Sequence, residues 1–537
     1  MGFLLSINKN LPYRYKCIIL KSMLKMKKTF KNILASVALS IGMLSCTNLD
    51  ETVYSELPAD GFFTDEESLL KNVGRAYAWL SSSSWSNGYL QHMGVWMNDI
   101  VTTDECIIPY REGGLWWDNG VWIQDHQHSW DETHDGVWRT YSFVMDGVTR
   151  CNQILYQMDE ANVSFNGKDK LAAEVKMVRT YLYLKGLDWF RNLPLVTRFT
   201  DTDLPSQVSP QVMFDFIESE ILDNVQYLED APTSENYGRV TKAAAYTMLA
   251  KLYLNSEVWT GKPMWREASE ACDNVMAFST LKLEPDYFTN FAVHNEVSTE
   301  TIWAIPLEGS ITSTFPLHNI TLHTLSQQTF NIKSFCWDGA CALEWLWNSY
   351  EENDKRRNSW LEGPQYAKDG SPLMVEPGRQ LTYTPHVGPI YDQANPALLD
   401  AGVRMCKWEY EDGLLEMSND FPIYRLADIY LMKAEAIMRQ NSGKANAEAV
   451  RWVKEVRQRA GASIYVENDL TLDELLKERA RELCWEGHRR QDQVRFGTFS
   501  KTWDNKTNTD DYRDIYPIPK RAMTTNSKLV QNPGYTK

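Results

Sequence analysis

The sequence predicts a mostly α-helical protein built from paired helices and interrupted by one irregular, loop-rich stretch. Three observations carry this expectation. Apolar residues recur at three- and four-residue spacing through nine separate stretches, the signature of amphipathic helices. The phrase Leu-Ala-x-aliphatic-Tyr-Leu occurs twice, at 249–254 and 426–431, each time followed by a short polar break and a further helical stretch. Between about 280 and 420 the helical period is lost among Pro, Gly, Asn and aromatic residues.

Taken in order, Thr64-Asp-Glu-Glu67 reads as a capping box, with Thr64 accepting the N3 amide and Glu67 reaching back. It opens an apolar stripe of Leu69, Leu70, Val73, Tyr77 and Leu80. Further stripes cover 137–158, 171–190, 210–228, 241–254 and 265–278, with Pro210 following Ser209 as N1 follows an N-cap. The irregular stretch holds a strand-like run at 302–307 and one short helix near 342–350. Helices resume at 424–440, 445–460 and 471–485, the last opened by a second capping box from Thr471 to Glu474. Small Ala beside large Tyr and Leu in the repeated phrase suits closely interlocked helix hairpins, although the full tetratricopeptide consensus is absent.

With 537 residues, 43% hydrophobic and 23% charged, the chain can bury a large core. The net charge of −16 argues against nucleic acid as a partner. That charge is unevenly spread: residues 1–45 hold eight basic and no acidic residues, leaving 47 basic against 71 acidic residues beyond them. Lys27, Lys28 and Lys31 precede an apolar run at 33–44, the layout of a signal peptide whose apolar core is too short to span a bilayer. Met26-Lys27-Lys28 reads as the start, which makes residues 1–25 an upstream extension. Met43-Leu44-Ser45-Cys46 resembles a bacterial lipobox, so Cys46 is the expected site of lipidation and the membrane anchor. The seven cysteines beyond it include no CxxC pair, which disfavours zinc ribbons and thioredoxin-type sites.

The C-terminal region carries Tyr424-Arg-Leu-Ala-Asp-Ile-Tyr-Leu-Met-Lys-Ala-Glu-Ala436, Val456-Arg-Gln-Arg-Ala-Gly461 and Glu478-Arg-Ala-Arg-Glu-Leu-Cys-Trp-Glu-Gly-His-Arg-Arg490, then Tyr516-Pro-Ile-Pro519 and Gln531-Asn-Pro-Gly-Tyr535. In this order and spacing the chain resembles the SusD/RagB family of surface nutrient-binding lipoproteins of Bacteroidetes. Asp104-Glu-Cys106, Val178 to Tyr183 and Arg239-Val-Thr-Lys242 match as well. The resemblance implies a SusD-like helical scaffold with tetratricopeptide-like hairpins and an irregular loop-rich subdomain carrying the ligand surface. It also implies surface exposure on the outer membrane and a SusC-like TonB-dependent transporter as partner. The expected division is 1–45 extension and signal peptide, 46–280 N-terminal region with tetratricopeptide-like helices, 281–420 loop-rich insertion, and 421–537 C-terminal signature region. Glu478, Arg479, Arg481, Glu482, Glu486, Arg489 and Arg490 read as ion pairs along a helix that hold the scaffold rather than a site.

Eight of the 20 tryptophans fall between residues 79 and 138. Sugar rings present apolar C–H faces that stack on aromatic planes while their hydroxyls meet polar side chains, so the loop Tyr110-Arg-Glu-Gly-Gly-Leu-Trp-Trp-Asp-Asn-Gly120 suits carbohydrate. Two adjacent tryptophans are hard to bury together with both N–H groups satisfied, which points to Trp116 or Trp117 as a ligand contact. Trp79 and Trp138 sit on helical stripes and read as core. From the family resemblance, Tyr110, Phe315 and Trp337 match the neighbourhoods that supply an aromatic platform in starch-binding members. His126, His128 and His134 beside Asp131 and Glu132 lack a recognised ligand spacing, so no metal site is assigned, and no cofactor is expected beyond a possible structural calcium. No GxSxG, HExxH or P-loop motif occurs, and acidic pairs such as Asp99 with Asp104 and Glu105 do not single out a catalytic couple. The expected function is non-catalytic binding of an oligosaccharide or polysaccharide. The alternatives are a peptide-capturing RagB-type lipoprotein and, from another class, a helical glycoside hydrolase.

Overall fold

Five of the nine long helices among the described residues start at a short side chain that satisfies a free amide of the first turn. A computed structural model describes residues 63 and 65–536, apart from 82–87, 92, 162 and 311–314. Cys46 and the expected signal peptide lie outside the described residues. The first helix, α1 (Glu66–Leu80), starts one residue later than the sequence suggests, because Asp65 is its cap. The Asp65 carboxylate accepts the Ser68 N–H at 2.8 Å, and Ser68 Oγ accepts the Asp65 N–H at 3.3 Å. An anion at this end is also favoured by the helix dipole.

The remaining long helices follow the sequence stripes closely: α2 (Asp135–Glu160), α3 (Lys168–Phe190), α4 (Pro210–Asn224), α5 (Lys242–Leu254), α6 (Trp265–Met276), α7 (Leu426–Gln440), α8 (Ala447–Ala460) and α9 (Leu472–Leu483). Ser209 caps α4 with Pro210 at N1, Thr241 caps α5, and Asn446 caps α8. Only half of the expected second capping box forms. Thr471 accepts the Glu474 N–H at 3.1 Å, but the Glu474 carboxylate turns instead to the Tyr465 hydroxyl at 2.6 Å and Arg481 at 2.8 Å. The helix also ends two residues early, since Trp485 adopts φ 60° and gives its N–H to Glu105.

Consecutive helices pack as α2 on α3, α3 on α4, α5 on α6 and α7 on α8, and α6 packs directly on α7. The helical array is therefore continuous in space although roughly 150 residues separate α6 from α7 in sequence. An antiparallel pair, β1 (Thr301–Ile305) with β2 (Phe421–Arg425), closes the two ends of the intervening segment against each other. Tyr424 and Arg425, read from the sequence as the start of a helix, belong to this strand. Among the described residues of the segment, three further two-stranded ladders and short helical turns stand in place of long elements. The described residues pack as one unit. The two copies of the repeated phrase meet through their variable position, where Lys251 and Asp428 form a buried ion pair at 2.7 Å.

The signature residues are buried and mostly pair between elements rather than along a helix, the exceptions being the pairs of Arg481 with Glu474 and Glu478. Glu482 accepts from Arg356 at 2.9 Å, Arg425 at 2.6 Å and Arg459 at 2.5 Å. Glu478 accepts from Arg356 at 2.8 Å and Arg457 at 2.5 Å, and Arg481, three residues on, supplies an on-helix pair at 2.8 Å. Arg425 also reaches Glu300 and Glu486, and Arg479 joins Asp428 to Asp492. The network binds the strand pair, the middle of the insertion and α7 to α9 into one body. All seven described cysteines are free thiols, and six of them are buried.

Candidate functional site

The loop 110–120 is stitched into two later segments before it turns. Ile107 and Cys341 exchange backbone hydrogen bonds at 2.9 and 3.0 Å, Tyr110 donates to Ile390 O at 2.8 Å and accepts from Ala397 at 3.0 Å, and Glu112 donates to Ala397 O at 3.0 Å. Gly113, Gly114 and Gly120 take positive φ at little cost, but so do Trp116 at 61°, Asp118 at 36° and Asn119 at 57°. Non-glycine residues in that region carry strain and persist only where the surroundings hold them.

This backbone splits the adjacent tryptophans. Trp116 turns inward to 8% exposure and donates its indole N–H to Trp337 O at 2.6 Å. Its ring fits because residue 339 is glycine: a Cβ there would lie 2.2 Å from the indole. Trp117 turns outward, 43% exposed, beside Tyr391, 42% exposed, with ring centroids 5.3 Å apart and planes inclined by 33°. Half-buried Tyr110 stands nearly edge-on to both, 6.2 Å from Trp117 and 5.3 Å from Tyr391. Leu115 and Leu398 on the same loops are also exposed, and Glu112, Asn119, Asp392, Gln393 and Asn395 supply polar groups on those loops. The surface is an aromatic patch with hydrogen-bonding side chains on the loops that carry it.

Of the expected ligand contacts, Tyr110 and Trp117 share this patch. Trp337 lies behind it, half-buried, 6.4 Å from the Trp116 ring. Trp116 is not part of the exposed patch and packs inward against Trp122 and Trp337. Phe315 is a correction: at 0% exposure it is enclosed by Trp96, Trp408 and Phe421 at 5.2, 5.4 and 5.5 Å and has no face to offer a ligand. Tyr391 escaped the sequence reading. Its setting, Pro389-Ile-Tyr-Asp-Gln-Ala-Asn-Pro396, is an aromatic among turn-forming polar residues, the same cue that singled out 110–120. Trp79 is core, donating to Phe143 O at 2.9 Å, whereas Trp138 is only half-buried.

The histidines are occupied separately. His126 bonds Cys106 O and Asp504 O, His128 bonds Thr102 O at 2.7 Å, and His134 lies 3.5 Å from Asp125. Burial holds His126 and His128 below the usual imidazole range. Among the described residues no three His, Cys, Asp or Glu side chains converge as a ligand set. The acidic residues weighed as a catalytic couple are tied into the scaffold: Asp99 accepts from Lys185 at 2.8 Å and Trp189 at 2.7 Å, and Asp104 from Arg489 at 2.7 Å.

Glu105 is fully buried, and desolvation pushes its carboxyl from 4.5 up to about 8 against the opposing Trp485 N–H bond. The folded state then holds an extra proton between those two values, so stability falls as pH rises from about 4.5 to 8, by roughly 1 kcal/mol per pH unit. Glu105→Gln should remove that slope. Denaturant unfolding at pH 5 and pH 7.5 checks it, and an equally steep fall in the variant would assign the slope to other groups.

The same chain order and fold recur in other proteins. A family profile described as SusD family matches residues 409–535, and one described as "Starch-binding associating with outer membrane" matches residues 48–254. Starch-binding protein SusD of Bacteroides thetaiotaomicron is 27% identical over 480 residues, 81% of this chain and 84% of the relative. Among solved structures, surface glycan-binding protein A from Bacteroides thetaiotaomicron in complex with laminarihexaose superposes with a TM-score of 0.70 at 20% identity, covering 87% of this chain and all of that one. Surface glycan-binding protein A from Bacteroides uniformis gives 0.68 at 19% identity, covering 87% of this chain and 99% of that one. The helical array, the insertion closed by its strand pair and the two profile matches at either end agree in making the chain similar to the SusD/RagB family.

Proposed function

We propose that this protein binds an oligosaccharide or polysaccharide at the cell surface, without acting on it chemically, and delivers it to a partner TonB-dependent outer-membrane transporter. The observation that carries the reading is the exposed Trp117–Tyr391 pair with Tyr110 at its edge. Aromatic faces presented side by side among polar loops stack on sugar C–H faces, while nearby amides and carboxylates meet hydroxyls. The 33° inclination of the two exposed rings makes the platform uneven, which suits a glycan that turns between sugar units better than a flat ribbon. A relative named for starch binding and a structural neighbour holding laminarihexaose support this class of ligand. Lipid on Cys46 is the proposed anchor, with residues 281–420 and the 110–120 loop forming the ligand side of the molecule.

Titration of the intact protein with maltohexaose, laminarihexaose, cellohexaose and a mixed peptide pool, together with an assay for new reducing ends, tests the proposal. Binding of a glycan is expected, with no reducing ends released and little dependence on salt, as a neutral ligand requires. Binding of peptides alone would favour the peptide-capturing alternative, and release of reducing ends would favour the hydrolase. For the anchor, Cys46→Ala should move the protein out of the membrane fraction; its retention there in cells lacking the transporter would refute the lipid assignment.

A further inference from the structure

We infer that Arg111, seconded by Arg404, is a positioning residue for the aromatic platform: its guanidinium holds the two loops that carry the platform and the 337–341 segment behind them at one fixed spacing. The inference rests on the reading of that platform as the ligand surface. Arg111 is fully buried, and its hydrogen bonds go to backbone carbonyls and one sulfur. Nε and Nη2 donate to Gly339 O at 3.1 and 2.6 Å, Nη1 donates to Leu398 O at 2.7 Å and Ala401 O at 3.0 Å, and Nη2 also faces Cys341 Sγ at 3.4 Å. Arg404, equally buried, donates to the same Gly339 O at 3.1 Å, to Ala340 O at 3.3 Å and to Leu399 O at 2.5 Å.

The three tied segments are the ones that matter. Arg111 lies between Tyr110 and Trp117, Gly339 lies two residues after Trp337, and the 397–401 turn follows Tyr391 on the loop already bonded to Tyr110 and Glu112. Burying a cation whose hydrogen bonds all go to uncharged acceptors is a costly way to gain stability alone, since the attraction of the buried Asp338 carboxylate does not make up for the desolvation. What a guanidinium provides here is geometry: a planar fork with five donors in fixed directions, which a lysine ammonium cannot reproduce. The strained φ values of Trp116, Asp118 and Asn119 lie in the loop this fork closes, and such strain survives only when neighbouring groups over-determine the backbone. A platform held in its binding shape has no loop-ordering cost to meet when ligand arrives.

The test compares Arg111→Lys, Trp117→Ala and the double variant with the wild-type protein, each well below its melting temperature and with native circular dichroism. Laminarihexaose and maltohexaose are the probes, and amide hydrogen exchange is followed over the whole chain. Arg111→Lys is expected to weaken probe binding tenfold or more and to speed exchange at 110–120, 337–341 and 390–401, leaving the helices α1 to α9 as protected as before. The double variant should bind no more weakly than the worse single variant, because both changes act through one surface. Wild-type affinity in Arg111→Lys, or losses that simply add, would overturn the inference. If Trp117→Ala leaves binding unchanged, the platform reading itself fails. Exchange then decides alone: unchanged protection of the three segments rejects Arg111 as their clamp, and faster exchange confined to them upholds it.

Discussion

Glu482→Ala is expected to cost at least about 3–5 kcal/mol of stability, the range for breaking a buried ion pair by removing one partner. Three guanidiniums, those of Arg356, Arg425 and Arg459, converge on this one fully buried carboxylate. Taking it away leaves cations with no water to solvate them. Ion pairs confined to an exposed helix face would cost only a few tenths of a kcal/mol, so the size of the loss separates the two arrangements. Denaturant unfolding of the variant measures it, and a loss below about 1 kcal/mol would show that the network is not what binds these segments. The pH dependence follows from the same geometry. Despite desolvation, the three arginines hold the Glu482 carboxyl well below its usual 4.5. Its contribution is therefore fully present above about pH 4.5 and is lost as pH falls toward the depressed folded value.

Trp117→Ala and Tyr391→Ala should have the opposite profile. By analogy with stacking of bases on aromatic side chains, each ring is worth ~1–3 kcal/mol of ligand affinity, a loss of roughly five- to 150-fold. Both side chains are more than two-fifths exposed, so the melting temperature should hardly change. Trp96→Ala is the appropriate core control, since Trp96 is fully buried and donates to Trp485 O at 2.7 Å. It should lose about 3–5 kcal/mol of stability. Trp138, half-buried, would make a poor control. Unchanged glycan affinity in both platform variants would place the binding surface elsewhere on the molecule.

The long helices were legible in the sequence because the information that makes a helix is local. Apolar spacing, Ser209 before Pro210, and Thr241 and Asn446 at the starts of α5 and α8 all act within one or two turns. The identity of the scaffold residues was also legible, as charged side chains gathered around 478–490. Their partners were not. Glu482 meets arginines 126, 57 and 23 residues away along the chain, and nothing in its own helix announces them. The first capping box shifted to Asp65 and the second was broken by Tyr465 and Arg481, two cases in which nearby alternatives of similar energy were decided by what else was within reach.

The proposed ligand surface divides in the same way. Composition alone marked 110–120 as an aromatic loop without helical period, and the difficulty of burying two neighbouring indoles implied that one would face out. Which one did depends on Gly339 and on the Trp337 carbonyl, more than 200 residues downstream. Tyr391 joins Trp117 only because Arg111 and the Tyr110 backbone fasten its loop alongside. Phe315 was lost to the core because Trp96, Trp408 and Phe421 close around it from three separate segments. The sequence by itself determined the helices, the family resemblance and the aromatic character of the 110–120 loop, all set by short-range pattern. The tertiary structure decided which aromatic faces meet solvent and which charges meet each other, because burial and pairing are properties of segments brought together from far along the chain.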